Sequence, residues 1–568
     1  MKRPGLADLY TQEGKNLNGT PWDVYPRPQM KRDSYLTLNG TWQIRIGEAQ
    51  KRPILVPFSP ESLLSGVHET VPSGTMMTYE RTFTLPDGFV RDRVLLHFGA
   101  VDQEATVYLN GQKIGTHVGG YEAFSFDITD ALQAENHLIV EAVDRLTDEV
   151  LPYGKQCEKR GGMWYTPVSG IWQSVWLESV PENAISHLKI FPHEKGASIT
   201  VTPAVSGEIL LHDGKEKRVF ALTDGQAHIV LDEPVLWSPE NPHLYYFDVI
   251  SGQDKVTSYF AVRTLSVREI NGIPRICLNG EPYFFHGLLD QGYYSDGIYT
   301  PASPTLYEGD ILTMKRMGFN TLRKHIKVEP EQFYYDCDRL GMIVFQDMVN
   351  NSDYGFIRDT VIPTFLTKKR KDRHLHKDPA SREAFRAGAV STVEQLYNHP
   401  SICYWTIFNE GWGQFLSDEQ YHFFRTLDTS RIIDTTSGWF LAGGESDVDS
   451  QHVYFKPVKI KAGKKPVIVS EFGGYSYAVE GHVFNLESSY GYGKYKDRKA
   501  WEDAVIGLYE NEILPAIKCG LCGSVYTQVS DVEDEINGFL TYDRAVCKGE
   551  PARFKEMAES LYEAYRNL

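Results

Sequence analysis

The sequence predicts three domains. These are an N-terminal β jelly roll over 1–181, an immunoglobulin-like β-sandwich over 182–265 and a C-terminal (β/α)8 TIM barrel over 266–568. Three observations carry this. Up to about residue 181 the chain is a series of short alternating strands broken by Gly, Asn and Asp. From 182 to 265 the same rhythm continues with a strand about every ten residues. After 266 strand-like runs alternate with helical ones. A chain of 568 residues is also too long for a single core.

In the first zone, VLLHF (94–98), ATVYLNG (105–111) and HLIVEAV (137–143) have period-two patterning, and Asn110-Gly111 is a hairpin signal. Their length and spacing suggest a jelly roll. In the second zone ISHLKIF, SITVTPAV, GEILLHD, AHIVL and HLYYFDVI fit the size of an immunoglobulin-like sandwich. In the third, eight strand candidates lie at 283–288, 320–325, 342–348, 402–410, 431–437, 449–455, 466–471 and 523–531, with helices expected at 311–319, 330–341 and 384–399 and a last one over 554–568. Eight strands in about 300 residues is the count of a TIM barrel, whose chemistry sits at the C-terminal strand ends.

The bulk composition excludes some functions. A formal charge of −17 gives no basic face for nucleic acid or an anionic membrane. No apolar run is long enough to span a bilayer, and the opening MKRPGLADLYTQ has no apolar leader. With seven scattered cysteines, this points to a cytoplasmic protein with reduced thiols. Cys519 and Cys522 match C-x-x-C but have no second pair, so a buried structural pair is expected rather than zinc. Thirty-three tyrosines and ten tryptophans suit large β cores and also sugar-binding clefts.

Two strand candidates end in the same way. YWTIFNEGWG (404–413) runs from apolar residues into Asn409, Glu410 and glycine, and VIVSEFGG (467–474) into Glu471 and glycines. As the fourth and seventh strands of a closed barrel, they bring two carboxylates to face each other across its mouth. Carboxyls about 5–5.5 Å apart are the machinery of a retaining glycosidase, one as acid and one as nucleophile. Residue types alone do not say which is which. Asn409 and Glu410 are also neighbours, and neighbours on a regular strand point to opposite faces, so the strand must bend there.

With NEGWG, VSEFGG, GIWQSVWLE (170–178) and LWSPENPHLY (236–245) in this order, the whole chain resembles glycoside hydrolase family 2, the β-galactosidases, β-glucuronidases and β-mannosidases. The resemblance implies a carbohydrate substrate, Glu410 as general acid/base, Glu471 as nucleophile and Asn409 as the amide that binds the sugar 2-hydroxyl. It also implies Arg323 as the cation that keeps the nucleophile ionised and Tyr454 as its hydrogen-bond donor. His325, His452 (which shares a face with Tyr454), Asp290 for sugar hydroxyls and Trp439 for stacking are further candidates. Asp347 reads as structural. The acidic run 530–538 reads as a solvated loop, with cleft lining as the alternative.

The sequence also departs from the family. FQDMVNNSDYG (345–355) lacks the Glu-x-His pattern that holds magnesium in the large β-galactosidases, so no metal and no cofactor are expected. The stretch after the last strand lacks the Asn-x-Lys motif of the glucuronidases, leaving Lys327 or Arg544 as substitute cations. The chain ends in a helix without the additional C-terminal domains of the large galactosidases. The expectation is therefore a metal-independent retaining exo-β-glycosidase, β-galactosidase-like. β-Glucuronidase or β-galacturonidase is the second choice. A non-catalytic carbohydrate-binding protein is the rival from another class, disfavoured because both carboxylates and Asn409 are present. The jelly roll is expected to shape the cleft rim, and a homo-oligomer is usual in the family.

Overall fold

The computed structural model describes residues 5–213, 216–362, 372–438, 440 and 443–568. The Trp439 candidate lies outside them. The N-terminal sandwich packs a six-stranded antiparallel sheet against a four-stranded one. Its strands alternate buried and exposed positions, as in Gly40–Ile46 and Asn136–Val143. The inward set, including Trp42, Ile44, Val107, Leu109 and Val140, forms one apolar core. Asn110 and Gly111 both take positive φ, +53° and +80°, and close the hairpin between Glu104–Leu109 and Gln112–Val118.

A second sandwich follows, of three antiparallel strands (His187–His193, Gly196–Thr202, Gln226–Val230) against four (Gly207–Asp213, Glu216–Leu222, Tyr245–Ser251, Asp254–Phe260). This is the immunoglobulin-like module. A hairpin, Leu265–Ile270 with Ile273–Leu278, precedes the barrel. Arg275 on it donates to the carbonyls of Ile517 and Leu521, tying it to the base of the last barrel strand.

The barrel strands are β1 (Phe285–Asp290), β2 (Thr321–Lys324), β3 (Ile343–Asp347), β4 (Ile402–Asn409), β5 (Ile432–Ser437), β6 (Asp449–Val453), β7 (Val467–Gly473) and β8 (Leu521–Thr527). One parallel ladder runs β5-β4-β3-β2-β1-β8-β7-β6. At the seam between β5 and β6 hydroxyls take over: Ser437 Oγ lies 3.3 Å from Ser450 Oγ and 2.9 Å from Ser470 Oγ. Helices Thr305–Arg316, Glu331–Leu340, Pro379–Leu396 and Pro551–Arg566 cover the outside, each close to its expected place. β8 stops at Thr527, four residues before the expected end.

The modules dock through the two tryptophan-bearing stretches singled out in the sequence. Trp172 is fully buried and packs edge-on against Tyr299 of the barrel. Trp237 is also fully buried and donates from Nε1 to the Asp338 carbonyl of helix Glu331–Leu340, 2.8 Å away. The loop 150–168 of the first sandwich reaches the barrel mouth. The Tyr153 N–H donates to Asn350 O at 3.0 Å, and Trp164 stacks on Trp412 with ring centres 5.3 Å apart. Arg160 pairs with Glu533 and Asp534, and Tyr165 donates to Glu535.

This corrects the solvated-loop reading of the acidic run. Glu533, Asp534 and Glu535 are buried, and their charges are taken up by a loop more than 360 residues earlier in the chain. The cysteine expectation also changes, since Cys522 is buried on β8 but Cys519 is exposed, so no buried pair forms.

Candidate active site

All eight residues of β4 are buried, as the apolar and β-branched run requires in a strand covered on both faces. The strand ends at Asn409. Glu410 then takes a left-handed backbone, φ +53°, and its N–H donates to Ser437 O at 2.8 Å. Few non-glycine residues adopt that region, and those that do cluster at functional sites. This turn is the bend the sequence required, and it lets Glu410 and Asn409 serve one cluster of side chains. On β7 the device is a bulge. The pairing slips by one residue against both β6 and β8 around Ser470, which re-aims Glu471.

Arg323 of β2 is fully buried at the centre of the cluster. Its Nε donates to Asp347 Oδ1 at 2.9 Å, Nη1 to Glu471 Oε1 at 3.0 Å, and Nη2 to Asn409 Oδ1 at 2.8 Å. That last bond fixes the amide, because Arg is a donor only. Oδ1 is occupied, and the two Nδ2 hydrogens of Asn409 are left to offer. Tyr454 donates to Glu471 Oε2 at 2.6 Å, and its ring stacks on Tyr492 with centres 4.2 Å apart. His452 Nδ1 lies 2.7 Å from Glu410 Oε1. Its Nε2 lies 3.0 Å from Ser437 Oγ and 3.4 Å from Arg323 Nη1. His452 thus links the acid candidate on one ring nitrogen to Ser437 and Arg323 on the other.

The two glutamates are pushed apart electrostatically. Burial raises the Glu410 carboxyl, and the Glu471 charge raises it further. Burial acts in the same sense on Glu471, but His452, Arg323, His325 and the Tyr454 hydrogen bond outweigh it and hold Glu471 down at about 2. The two carboxyls are thus driven in opposite directions, Glu410 toward holding its proton and Glu471 toward its charge, as an acid–nucleophile pair needs. Glu410, Glu471 and His452 each place one ligand atom within 4.8 Å of the others. That trio has the donor types for a divalent cation, with the Arg323 charge already beside it.

The remaining candidates divide. His325 joins the cluster through Asp347, with Nδ1 2.8 Å from Oδ2, and burial lowers its imidazole to about 4. Asp347 therefore bridges Arg323 and His325, the structural part expected of it. Asp290 is not brought to the cluster. It pairs in register with Lys324 and accepts from Lys324 Nζ at 2.7 Å, while Lys324 itself lies over the Phe333 ring of an outer helix. Lys327 and Arg544 are also engaged elsewhere. Lys327 donates to Gly292 O, Tyr299 O and Glu329, and Arg544 to Asp310 and the Tyr542 carbonyl.

Residues 68–160 match the family model described as the glycosyl hydrolase 2 galactose-binding domain-like domain. Residues 274–502, which hold Arg323, Glu410 and Glu471, match that of the glycosyl hydrolases family 2 TIM barrel domain. The chain belongs to glycoside hydrolase family 2. Its relatives include a protein named beta-galactosidase from Thermoanaerobacter pseudethanolicus, 25% identical over 48% of this chain and 39% of that one. Another is a beta-glucuronidase from Bacteroides fragilis, 23% identical over 66% and 56%. The chain spans about two fifths of the length of the first curated relatives it matches. Among solved family 2 structures, a beta-galacturonidase from Eisenbergiella tayi bound to galacturonate superposes with a TM-score of 0.70 at 19% identity, covering 96% of this chain and 99% of that one. The Bifidobacterium dentium beta-glucuronidase gives 0.73 at 19%, covering 94% and 98%. At that identity the likeness is one of fold.

Within this family 2 barrel, several residues of the cluster carried no signal in the sequence. Gly438 is one. Its φ is +103°, and a Cβ there would sit 2.9 Å from His452 Nδ1 and 3.2 Å from Glu410 Cγ. Gly438→Ala is therefore expected to push the His452–Glu410 pair apart. A fall of at least about tenfold in kcat/KM with a small drop in Tm is the expected result, read by steady-state kinetics beside a thermal melt. Full activity would mean that the pair tolerates the added methyl. Lys155 and Ser437 are further additions, and Trp412, quoted only as part of NEGWG, gains a place beside them.

Proposed function

We propose that the protein is a retaining exo-β-glycosidase working by double displacement. The observation that carries this is the Glu410–Glu471 pair, with carboxylate oxygens within 4.8 Å and protonation states driven apart. In the first step the Glu471 carboxylate attacks C1 of the terminal sugar. Glu410 gives its proton to the glycosidic oxygen, the C1–O bond breaks, and a glycosyl ester forms on Glu471. In the second step Glu410, now a carboxylate, takes a proton from water as the water attacks C1, and Glu471 leaves. Two inversions return a β-sugar. Asn409, oriented by Arg323, offers its amide hydrogens to the 2-hydroxyl, a contact that tightens as C1 becomes positive.

The sugar is proposed separately. A neutral β-galactoside is the expectation from the sequence, and relatives named beta-galactosidase support it. A β-uronide is the second reading, favoured by the buried cation Lys155 beside the cluster. A nitrophenyl glycoside panel followed by proton NMR of the first-formed sugar tests the chemistry. The β anomer is expected to appear first. The α anomer appearing first would overturn double displacement.

A further inference from the structure

Four lysines are buried among the described residues: Lys155, Lys324, Lys327 and Lys548. Three are fully satisfied in the ordinary way. Lys324 pairs with Asp290 and Glu329, Lys327 with Glu329 and two carbonyls, and Lys548 with Asp531 and two carbonyls. Lys155 differs. The residue is 6% exposed, but its ammonium is not among the sealed polar atoms, and among the described residues it makes neither a hydrogen bond nor an ion pair. It lies instead over the rings of Tyr165 and Trp412, 5.6 and 5.7 Å from their centres. Such cation–π contacts hold the side chain in place but supply no hydrogen-bond acceptor to the ammonium.

A second unmet donor lies beside it. Trp412 is 2% exposed, and its Nε1 has no partner among the described residues. Trp412 follows Glu410 by two positions and is held by stacking on Trp164 and edge-on contact with Tyr354. The ammonium and the indole N–H therefore belong to one contact group where the first sandwich's loop meets the barrel mouth. A sealed indole N–H without a partner and an ammonium that no described acceptor takes up together describe a site for an anion. The Lys155 charge also reaches Glu410 and His325, which places it on the cleft side of the loop.

We propose that Lys155, with the Trp412 Nε1–H, is the specificity-determining site for a carboxylate carried by the substrate. The proposal rests on the two-glutamate reading, since the site serves the same cleft. It also explains an otherwise unfavourable placement. A lone cation near Glu410 works against the proton Glu410 must hold, and a bound carboxylate cancels that charge when the substrate arrives. A neutral substrate leaves the cation uncompensated. The carboxylate can belong to the terminal sugar, as in a uronide, or to the leaving group.

The test compares kcat/KM for nitrophenyl β-D-galacturonide and β-D-glucuronide, the matching neutral hexosides, and a neutral galactoside with a carboxyphenyl leaving group. It uses wild type, Lys155→Gln, Lys155→Arg and Trp412→Phe. Wild type is expected to prefer a carboxylate-bearing substrate over its neutral parent. Lys155→Gln is expected to cut that preference by about 10²–10³-fold, the scale for removing one partner of a desolvated charge pair. Lys155→Arg keeps the charge and is expected to retain part of the preference, and Trp412→Phe keeps the ring and is expected to lose a smaller part. A preference among the uronides places the carboxylate on the sugar, and one for the carboxyphenyl galactoside places it on the leaving group. No preference in wild type overturns the proposal, as does an equal loss on charged and neutral substrates in Lys155→Gln. If wild type cleaves neutral glycosides with retention but shows no preference, the proposal falls and the two-glutamate reading stands. If no member of the panel is cleaved, both fall. Should Lys155→Gln not fold, the wild-type preference and competition by free galacturonate against galactose decide alone.

Discussion

Replacing Glu471 with alanine is expected to stop hydrolysis, cutting kcat/KM by on the order of 10⁵-fold, the scale seen when a nucleophile that acts as one unit with its partners is removed. What remains in the site makes the result specific. Arg323 Nη1 and the Tyr454 hydroxyl both donate to the Glu471 carboxylate. In the variant they face a space shaped for an anion and lined with its donors. Added azide is expected to fill it and attack C1 from the side Glu471 occupied, returning a glycosyl azide of inverted configuration with an activated nitrophenyl glycoside. Product NMR reads the configuration. An active Glu471→Ala without azide would mean that another carboxylate is the nucleophile. Asp347 is the nearest alternative on Arg323, but both its oxygens are already held, by Arg323 and His325.

How much of this was legible in the sequence depended on the range of the signal. Asn409, Glu410 and Glu471 could be read because an apolar strand ending in a carboxylate and glycine is a local pattern. Arg323 and Tyr454 came from the family resemblance, and His452 from sharing a face with Tyr454 at period two. The placing of Asp290 called for a signal of longer range. That residue pairs in register with Lys324, the neighbour of Arg323 that points the other way, so placing it needed a β1–β2 register the sequence does not spell out. The acidic run was misread because a run of charge is normally solvated, and its partner Arg160 lies in a different module. Lys155 was invisible on the same grounds, since nothing local separates a lysine in a surface loop from one that a distant barrel will bury. The bulge at Ser470 and the left-handed turn at Glu410 are backbone events with no side-chain signature beyond the glycines that follow.

Glu410→Ala should behave differently from Glu471→Ala, and the difference tests the acid/base assignment. General acid–base help contributes about 10²–10⁴-fold. The loss should sit at the high end for a poor leaving group, which needs the proton, and shrink for an activated nitrophenyl group in the first step. Azide should rescue the second step with retained configuration, because it enters where water would, on the face opposite Glu471. In the wild type the pH profile follows from the two shifts. Glu471 must be charged, and His452 and Arg323 overcome burial to hold it at about 2, so the acid limb of kcat/KM should fall below the ordinary carboxylate range. Glu410 must be protonated, and burial together with the Glu471 charge raises it, so activity should be lost as pH rises through a value above the ordinary glutamate range. Glu410→Ala should lose that basic limb and keep the acid one. On the proposed double displacement, the same coupling would account for the change of role between steps. Once Glu471 is esterified its charge is gone and one cause of the raised Glu410 value goes with it, while His452 and Lys155 still lower it. Glu410 therefore becomes a weaker acid-holder at the moment it must act as a base. If Glu410→Ala kept the basic limb, another group would be the proton donor, and the His452–Glu410 hydrogen bond would have to be given a purely structural part.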